Sequence, residues 1–114
     1  MTDTNAQTIA ELNDRFRKGD RLIPGRRFGT AGIAALSPEK QMRIWAKVTS
    51  FADFSEGNDP HGEHDFGAFE FEGVGRIFWK VDYYADSAME WGSEAPHDTA
   101  QSYRVLTVML ADEY

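Results

Sequence analysis

Residues 67–84 read Gly67-Ala-Phe-Glu-Phe-Glu-Gly-Val-Gly-Arg-Ile-Phe-Trp-Lys-Val-Asp-Tyr-Tyr84, and this stretch decides the fold. Gly67–Glu72 alternates apolar and acidic residues. Arg76–Tyr84 places Ile77, Trp79, Val81 and Tyr83 on one face and Phe78, Lys80, Asp82 and Tyr84 on the other, since successive strand side chains point to opposite sides. Glu72-Gly-Val-Gly75 between them predicts a hairpin turn. Rings on both faces mean that one set is core and the other needs a cover. That cover is either the rest of the domain, including Arg26–Leu36, or a partner docked on an exposed Phe78/Tyr84 patch.

Working outward, Tyr103–Leu110 is apolar on both faces, which predicts a central strand. A loop rich in Ser, Glu, Pro and Asp, residues 85–100, leads into it. In the first half, Ile9, Leu12 and Phe16 recur at helical spacing, predicting a helix from about Thr4 to Lys18 with Gly19 as its stop. Thr4-Asn-Ala-Gln7 is the preferred capping box over Thr8–Glu11. A second helix is expected after Ser37 as N-cap and Pro38 in the first turn, with an apolar stripe of Met42, Trp45, Val48 and Phe51 widened by Ile44 and Ala52. Between the helices, Asp20–Leu36 is punctuated by Pro24, Gly25, Gly29 and Gly32, with short strand pieces at Leu22, Ile23 and Phe28. Gly29-Thr-Ala-Gly32 lacks the Lys-Ser/Thr of a phosphate loop and reads as a simple turn. These elements predict an α+β fold: a two-layer sandwich in which an antiparallel sheet of three or more strands carries two helices on one face. A single domain spanning 1–114 is expected, fraying over residues 1–7.

The 114 residues contain no cysteine, which excludes disulfides, thiolate metal sites and cysteine nucleophiles. No stretch approaches the ~20 apolar residues that span a bilayer, and the N-terminus lacks a secretory pattern, so a cytoplasmic protein without membrane contact is expected. The net charge of −7 hides a division: nine Lys/Arg against five acids in residues 1–50, and fourteen acids against Arg76, Lys80 and Arg104 in residues 51–114. Interleaving of the halves on folding is the simple reading. The sharper one is an acidic face that repels nucleic acid and attracts basic partners.

The densest polar cluster is Asn58-Asp-Pro-His-Gly-Glu-His-Asp65. Its imidazoles and carboxylates are of the types that hold a divalent metal or act as acid/base pairs, yet the spacing is neither that of a zinc helix nor that of a calcium loop. Pro60 and Gly62, with Asn and Asp beside them, predict a turn held by local hydrogen bonds. No nucleophile elbow or dinucleotide fingerprint is present, and His97 is expected to be exposed in its polar loop. The basic residues from Arg15 to Arg27 have the charge to meet phosphates, but no DNA-reading motif accompanies them. Lys40, Arg43 and Lys47 read as a solvated helix face.

The runs Asn58-Asp-Pro-His-Gly-Glu-His-Asp-Phe-Gly67, Arg76–Tyr84 and Arg104–Tyr114, with Leu12-Asn-Asp14 and the helix start at Ala34-Leu-Ser-Pro, resemble a bacterial family of domains of unknown function. The chain departs from its pattern at His61, where an aromatic Tyr is expected, and in the longer, glycine-rich Gly25–Gly32 stretch. The resemblance carries over no catalytic or binding residue. It implies a mainly alphaproteobacterial, often plasmid-borne setting, in which small acidic proteins act by stoichiometric binding against host CRISPR or restriction machinery.

The expectation is therefore a small acidic, non-catalytic protein without cofactors. Its partner is a protein with a basic surface, and direct DNA binding is not expected. The contact residues expected are Glu56, Asp59, Glu63, Asp65, Glu70 and Glu72, with Phe78 and Tyr84 as the aromatic patch. The alternative is a metal-binding domain or metal-assisted hydrolase using Asp59, His61, Glu63, His64 and Asp65.

Overall fold

The computed structural model describes residues 4–114. Along the chain run α1 (Thr4–Arg17), β1 (Gly25–Gly29), the short α2 (Ala31–Ala34), α3 (Pro38–Ser50), β2 (Phe66–Phe71), β3 (Gly75–Tyr84), β4 (Tyr103–Leu110) and a closing 3-10 turn, Ala111–Glu113.

The alternating stretch forms the expected hairpin. β2 and β3 pair antiparallel, from Phe66 opposite Lys80 to Phe71 opposite Gly75. Gly73 and Gly75 have φ of 82° and 116°, in the left-handed region that suits residues without a Cβ. Ile77, Trp79 and Val81 are buried, while Phe78, Lys80, Asp82 and Tyr84 lie half-buried on the opposite face. β4 occupies a central position in the order β1-β4-β3-β2, as its two apolar faces require.

The sheet is not antiparallel throughout. β1 runs parallel to β4, from Gly25 opposite Arg104 to Gly29 opposite Val108. The glycines that read as punctuation have a packing reason here. A Cβ on Gly25 would stand 2.3 Å from the Arg104 carbonyl oxygen and 2.6 Å from the Phe16 ring, so β1 approaches β4 and α1 too closely for any side chain. Gly29-Thr-Ala-Gly32, in turn, leads from the strand into α2. Its Thr30 hydroxyl and Gly32 N–H donate to the Glu113 carboxylate at 2.5 and 2.9 Å, tying the strand end to the C-terminal turn.

Both long helices pack on one face of the sheet, giving the two-layer α+β sandwich. Leu12 and Phe16 of α1 and Ile44 and Val48 of α3 meet Phe71, Ile77, Trp79, Val81, Leu106 and Val108, with Ile33 of α2 added at one side. The N-terminal end of α1 is at Thr4, whose expected capping side chain lies outside the described side chains. Gly19, at φ 100°, ends the helix. Ser37 caps α3 by accepting from the Lys40 N–H at 3.2 Å.

The apolar stripe of α3 is rotated from the expected one. Ile44 and Val48 are buried, flanked by half-buried Gln41 and Trp45, and Met42 is 73% exposed. At ~100° per residue, steps of three carry residue 51 about halfway round the helix from residue 42, whereas 41, 44, 45 and 48 keep to one side.

Candidate functional site: an acidic loop end on a buried arginine scaffold

Strand direction gathers the two long loops at one end of the sheet. β2 begins, β3 ends and β4 begins there, with Phe66 opposite Lys80 and Tyr84 opposite Tyr103. Residues 51–65 and 85–102 leave from this end. Together they carry nine carboxylates (Asp53, Glu56, Asp59, Glu63, Asp65, Asp86, Glu90, Glu94 and Asp98) and neither Lys nor Arg.

One face of α1 anchors the first loop. Asn13 is fully buried; its amide donates to the Glu63 carbonyl at 2.9 Å and to the Tyr83 hydroxyl at 2.8 Å. Its carbonyl accepts from Arg104 Nε at 2.6 Å. The Tyr83 hydroxyl in turn donates to Glu63 Oε1 at 3.1 Å. Arg104, also fully buried, donates further to Ser102 Oγ at 3.1 Å and to the Pro96 carbonyl at 2.6 Å, so the same guanidinium holds the second loop. Burial lowers the pKa of Arg104, and burial raises that of Tyr83 well above the usual phenol range.

One turn further along α1, the Arg17 guanidinium lies against both the Trp79 and Phe54 rings, 4.9 and 5.3 Å from their centroids. It donates to the carbonyls of Val48 and Phe51, each at 2.9 Å, so it satisfies the C-terminal end of α3. Its partner Asp14, at 3.0 Å, also has both oxygens 3.0 Å from His64 Nδ1. The His64 ring stacks on Phe54, with centroids 3.8 Å apart and planes 4° apart. Asp59 accepts from the His64 N–H at 3.1 Å, holding that residue at φ 54°. The turn held by local hydrogen bonds is present.

The expected contact residues fall into separate places. Asp59, Glu63 and Asp65 are at least half-buried, Asp59 with only 5% of its side chain exposed, and burial raises the pKa of Asp65. Glu56 is exposed at the loop end. Glu70 is exposed on β2 beside Arg76 at 3.3 Å, and Glu72 sits in the hairpin turn at the opposite end of the sheet. Phe78 packs against Phe66 and Tyr114, at 5.4 and 5.3 Å between centroids. Tyr84 lines a hollow of about 750 Å³ on the face away from the helices, with Val105, Met109 and the Lys80–Asp82 pair. Of the alternative metal set, His64 is bound to Asp14 and Asp59, and His61 is exposed. Among the described residues, no group of three or more His, Asp or Glu is arranged to hold a metal ion.

One residue of this end escapes sequence reasoning. Trp91 is 76% exposed, in a loop stapled back to the sheet. Ala85 N–H donates to the Trp91 carbonyl at 2.8 Å, Ser93 N–H to the Tyr83 carbonyl at 3.0 Å, and Ser93 Oγ to the Gln101 carbonyl at 2.8 Å. The available signal is Glu90-Trp-Gly-Ser-Glu94, an indole set between two acids in a stretch without helical or strand periodicity.

No helix of the described residues is long and apolar enough to cross a membrane. No curated protein and no solved structure matches the chain. The family described as Protein of unknown function (DUF3768) matches residues 29–113, from the end of β1 through the last turn, and this chain belongs to it.

Proposed function

We propose that the chain is a non-catalytic binding protein that docks its acidic loop end, centred on Trp91, onto the basic surface of a protein partner. The observation that carries this reading is the indole of Trp91, 76% exposed on a stapled loop between Glu90 and Glu94. Large rings held out in water are the residues that anchor interface centres, and a pre-ordered loop loses little entropy on docking. The surrounding carboxylates steer a cationic partner and repel polyanions, so direct DNA binding is not part of this role.

A protein that handles nucleic acid fits such a surface, because its own substrate is a polyanion and its binding groove is basic. With the plasmid-borne setting implied by the resemblance, the role becomes inhibition of host defence, anti-CRISPR or anti-restriction, by stoichiometric binding in the cytoplasm. The test adds purified protein to restriction and CRISPR effector complexes and measures DNA binding at low and high salt. Competition with DNA that weakens with salt and disappears in Trp91→Ala supports the role. Unchanged DNA binding with every effector tried at low salt rejects it.

A further inference from the structure

The two edges of the sheet are built differently. Edge strands are commonly blunted by charges, proline or a bulge, because their free N–H and C=O groups template pairing with another chain. β1 is five residues long and carries Arg26 and Arg27, both exposed, near its middle. β2, Phe66-Gly-Ala-Phe-Glu-Phe71, has Glu70 as its one charge and no proline, and its register with β3 runs without a bulge. The ladder shows which backbone groups β2 leaves free. The Val81 N–H donates to the Asp65 carbonyl at 2.8 Å, so that pair is hydrogen-bonded. Bonded and non-bonded pairs alternate along an antiparallel ladder, so Gly67, Phe69 and Phe71 turn their backbone groups to β3. Phe66, Ala68 and Glu70 turn theirs outward, where no group of the described residues bonds them.

The surroundings of this edge differ on its two sides. On the face away from the helices, Pro60, Phe66, Ala68 and Phe78 are among the residues lining a hollow of about 410 Å³. On the helix face, exposed Arg43 and Lys47 of α3 overhang the strand. The guanidinium is 5.1 Å from the Phe71 ring and Nζ is 6.0 Å from the Phe69 ring. A strand added ~4.8 Å beyond β2 would alternate its side chains between these two places.

We infer that β2 takes up an extended segment of a partner protein as a further strand, its apolar residues directed into the hollow and its acidic residues directed to Arg43 and Lys47. The free groups recur at every second residue, a repeat that extended backbone matches and that a helix, with its groups bonded internally, does not. Charge argues for a foreign segment over a second copy. Two molecules joined at β2 would bring the cations of both α3 helices together, and each chain carries a net charge of −7. This contact is separate from the loop end at Trp91.

The experiment titrates the full chain with the end-blocked peptide Ser-Val-Glu-Val-Glu-Val-Ser and follows backbone amide signals by NMR. Saturable shifts are expected, larger at Phe66, Ala68 and Glu70 than at Gly67 and Phe69. N-methylating the valines in one peptide and the glutamates in another should have unequal effects, because only one set of N–H groups faces β2. The damaging set should weaken binding about tenfold or more. Arg43→Gln/Lys47→Gln should weaken it about threefold, and the charge-matched Arg21→Gln/Arg26→Gln should not. Ala68→Lys, a charge on the edge, should abolish it; if that variant loses its melting temperature, the methylated peptides, which leave the protein unaltered, decide. Absence of saturable shifts overturns the inference, as do equal effects of the two methylated peptides or equal loss in the two arginine variants. Sedimentation showing a dimer that Ala68→Lys dissociates also overturns it, assigning the edge to a second copy.

Discussion

Arg104 Nε donates to Asn13 Oδ1 across 2.6 Å, joining β4 to α1 between two residues with no exposed surface. Among the described residues, no carboxylate is in direct contact with the pair. The guanidinium charge is met by an amide, a hydroxyl and a carbonyl, and Glu63 lies beyond them. Such an arrangement is costly to break from one side, because the remaining group stays buried without its partner.

Asn13→Leu should therefore destabilise the fold by about 3 kcal/mol, since it removes the buried acceptor of Arg104 Nε and the donor to the Tyr83 hydroxyl and the Glu63 carbonyl. Arg104→Met in the same chain should cost less than the sum of the two single changes. A double-mutant cycle from urea unfolding checks this, with coupling of at least about 1 kcal/mol expected. Additive effects would show that the two side chains do not share one network.

Gly67 faces Trp79 across the hairpin, and a Cβ there would lie 2.3 Å from the indole nitrogen. Trp79 is fully buried and its N–H has no hydrogen-bond partner among the described residues, so ring contacts, with Phe51 edge-on and the Arg17 guanidinium against it, position the indole. Gly67→Ala should cost about 1–3 kcal/mol by overpacking, and Trp79→Phe should recover part of that loss by removing the clashing edge. Thermal melts of the three variants decide it.

Glu113 and Asp65 should shape acid stability in opposite senses. Hydrogen bonds from Thr30, then from the Leu110 and Gly32 N–H groups, hold the Glu113 pKa below its usual 4.5. A depressed folded pKa gives stability that is present above the unfolded value and lost as pH falls through the folded one. Glu113→Gln should thus lower the melting temperature at neutral pH and flatten its decline in acid. Burial raises the Asp65 pKa, so its ionised form is disfavoured in the folded state as pH rises above the unfolded value. Asp65→Asn should leave acid stability unchanged and raise neutral-pH stability. Melting curves between pH 3 and pH 7, the range bracketing ordinary carboxylate titration at about 4, read both effects.

The acids of the two sheet ends should differ in their effect on partner binding. Glu90→Lys/Glu94→Lys alters the ground around Trp91, whereas Glu70→Lys/Glu72→Lys alters β2 and the hairpin turn at the far end. Glu70 and Glu72 are exposed, with Glu70 on the face opposite buried Phe71, so the second variant should keep its melting temperature within the ~0.5 kcal/mol typical of surface changes. Competition assays with the partner should weaken strongly for the first variant and little for the second. The reverse order would move the contact to the hairpin end.

The hairpin, the central strand and the α3 cap were legible because their causes are local. Alternation in Arg76–Tyr84, apolarity on both sides of Tyr103–Leu110 and Ser37-Pro38 each act within a few residues. The turn at Asn58–Asp65 was legible for the same reason, though not that Asp59, Glu63 and Asp65 face inward. Glu63 is turned in by Asn13 and Tyr83, and His64, whose N–H Asp59 accepts, is held by Asp14, all of them far away in sequence.

By itself, then, the sequence determined the α+β class, the β2–β3 hairpin, the central β4 and the acidity of both long loops. The tertiary structure alone decided that Gly25 serves a close approach in a parallel edge strand, that Ile44 rather than Met42 faces the sheet, and that Arg17 and Arg104 are buried. It also decided that Trp91 stays outside. Local periodicity fixes which residues share a face of an element. Which face is covered, and which cation finds acceptors enough to leave water, depends on elements up to 91 residues apart meeting in space.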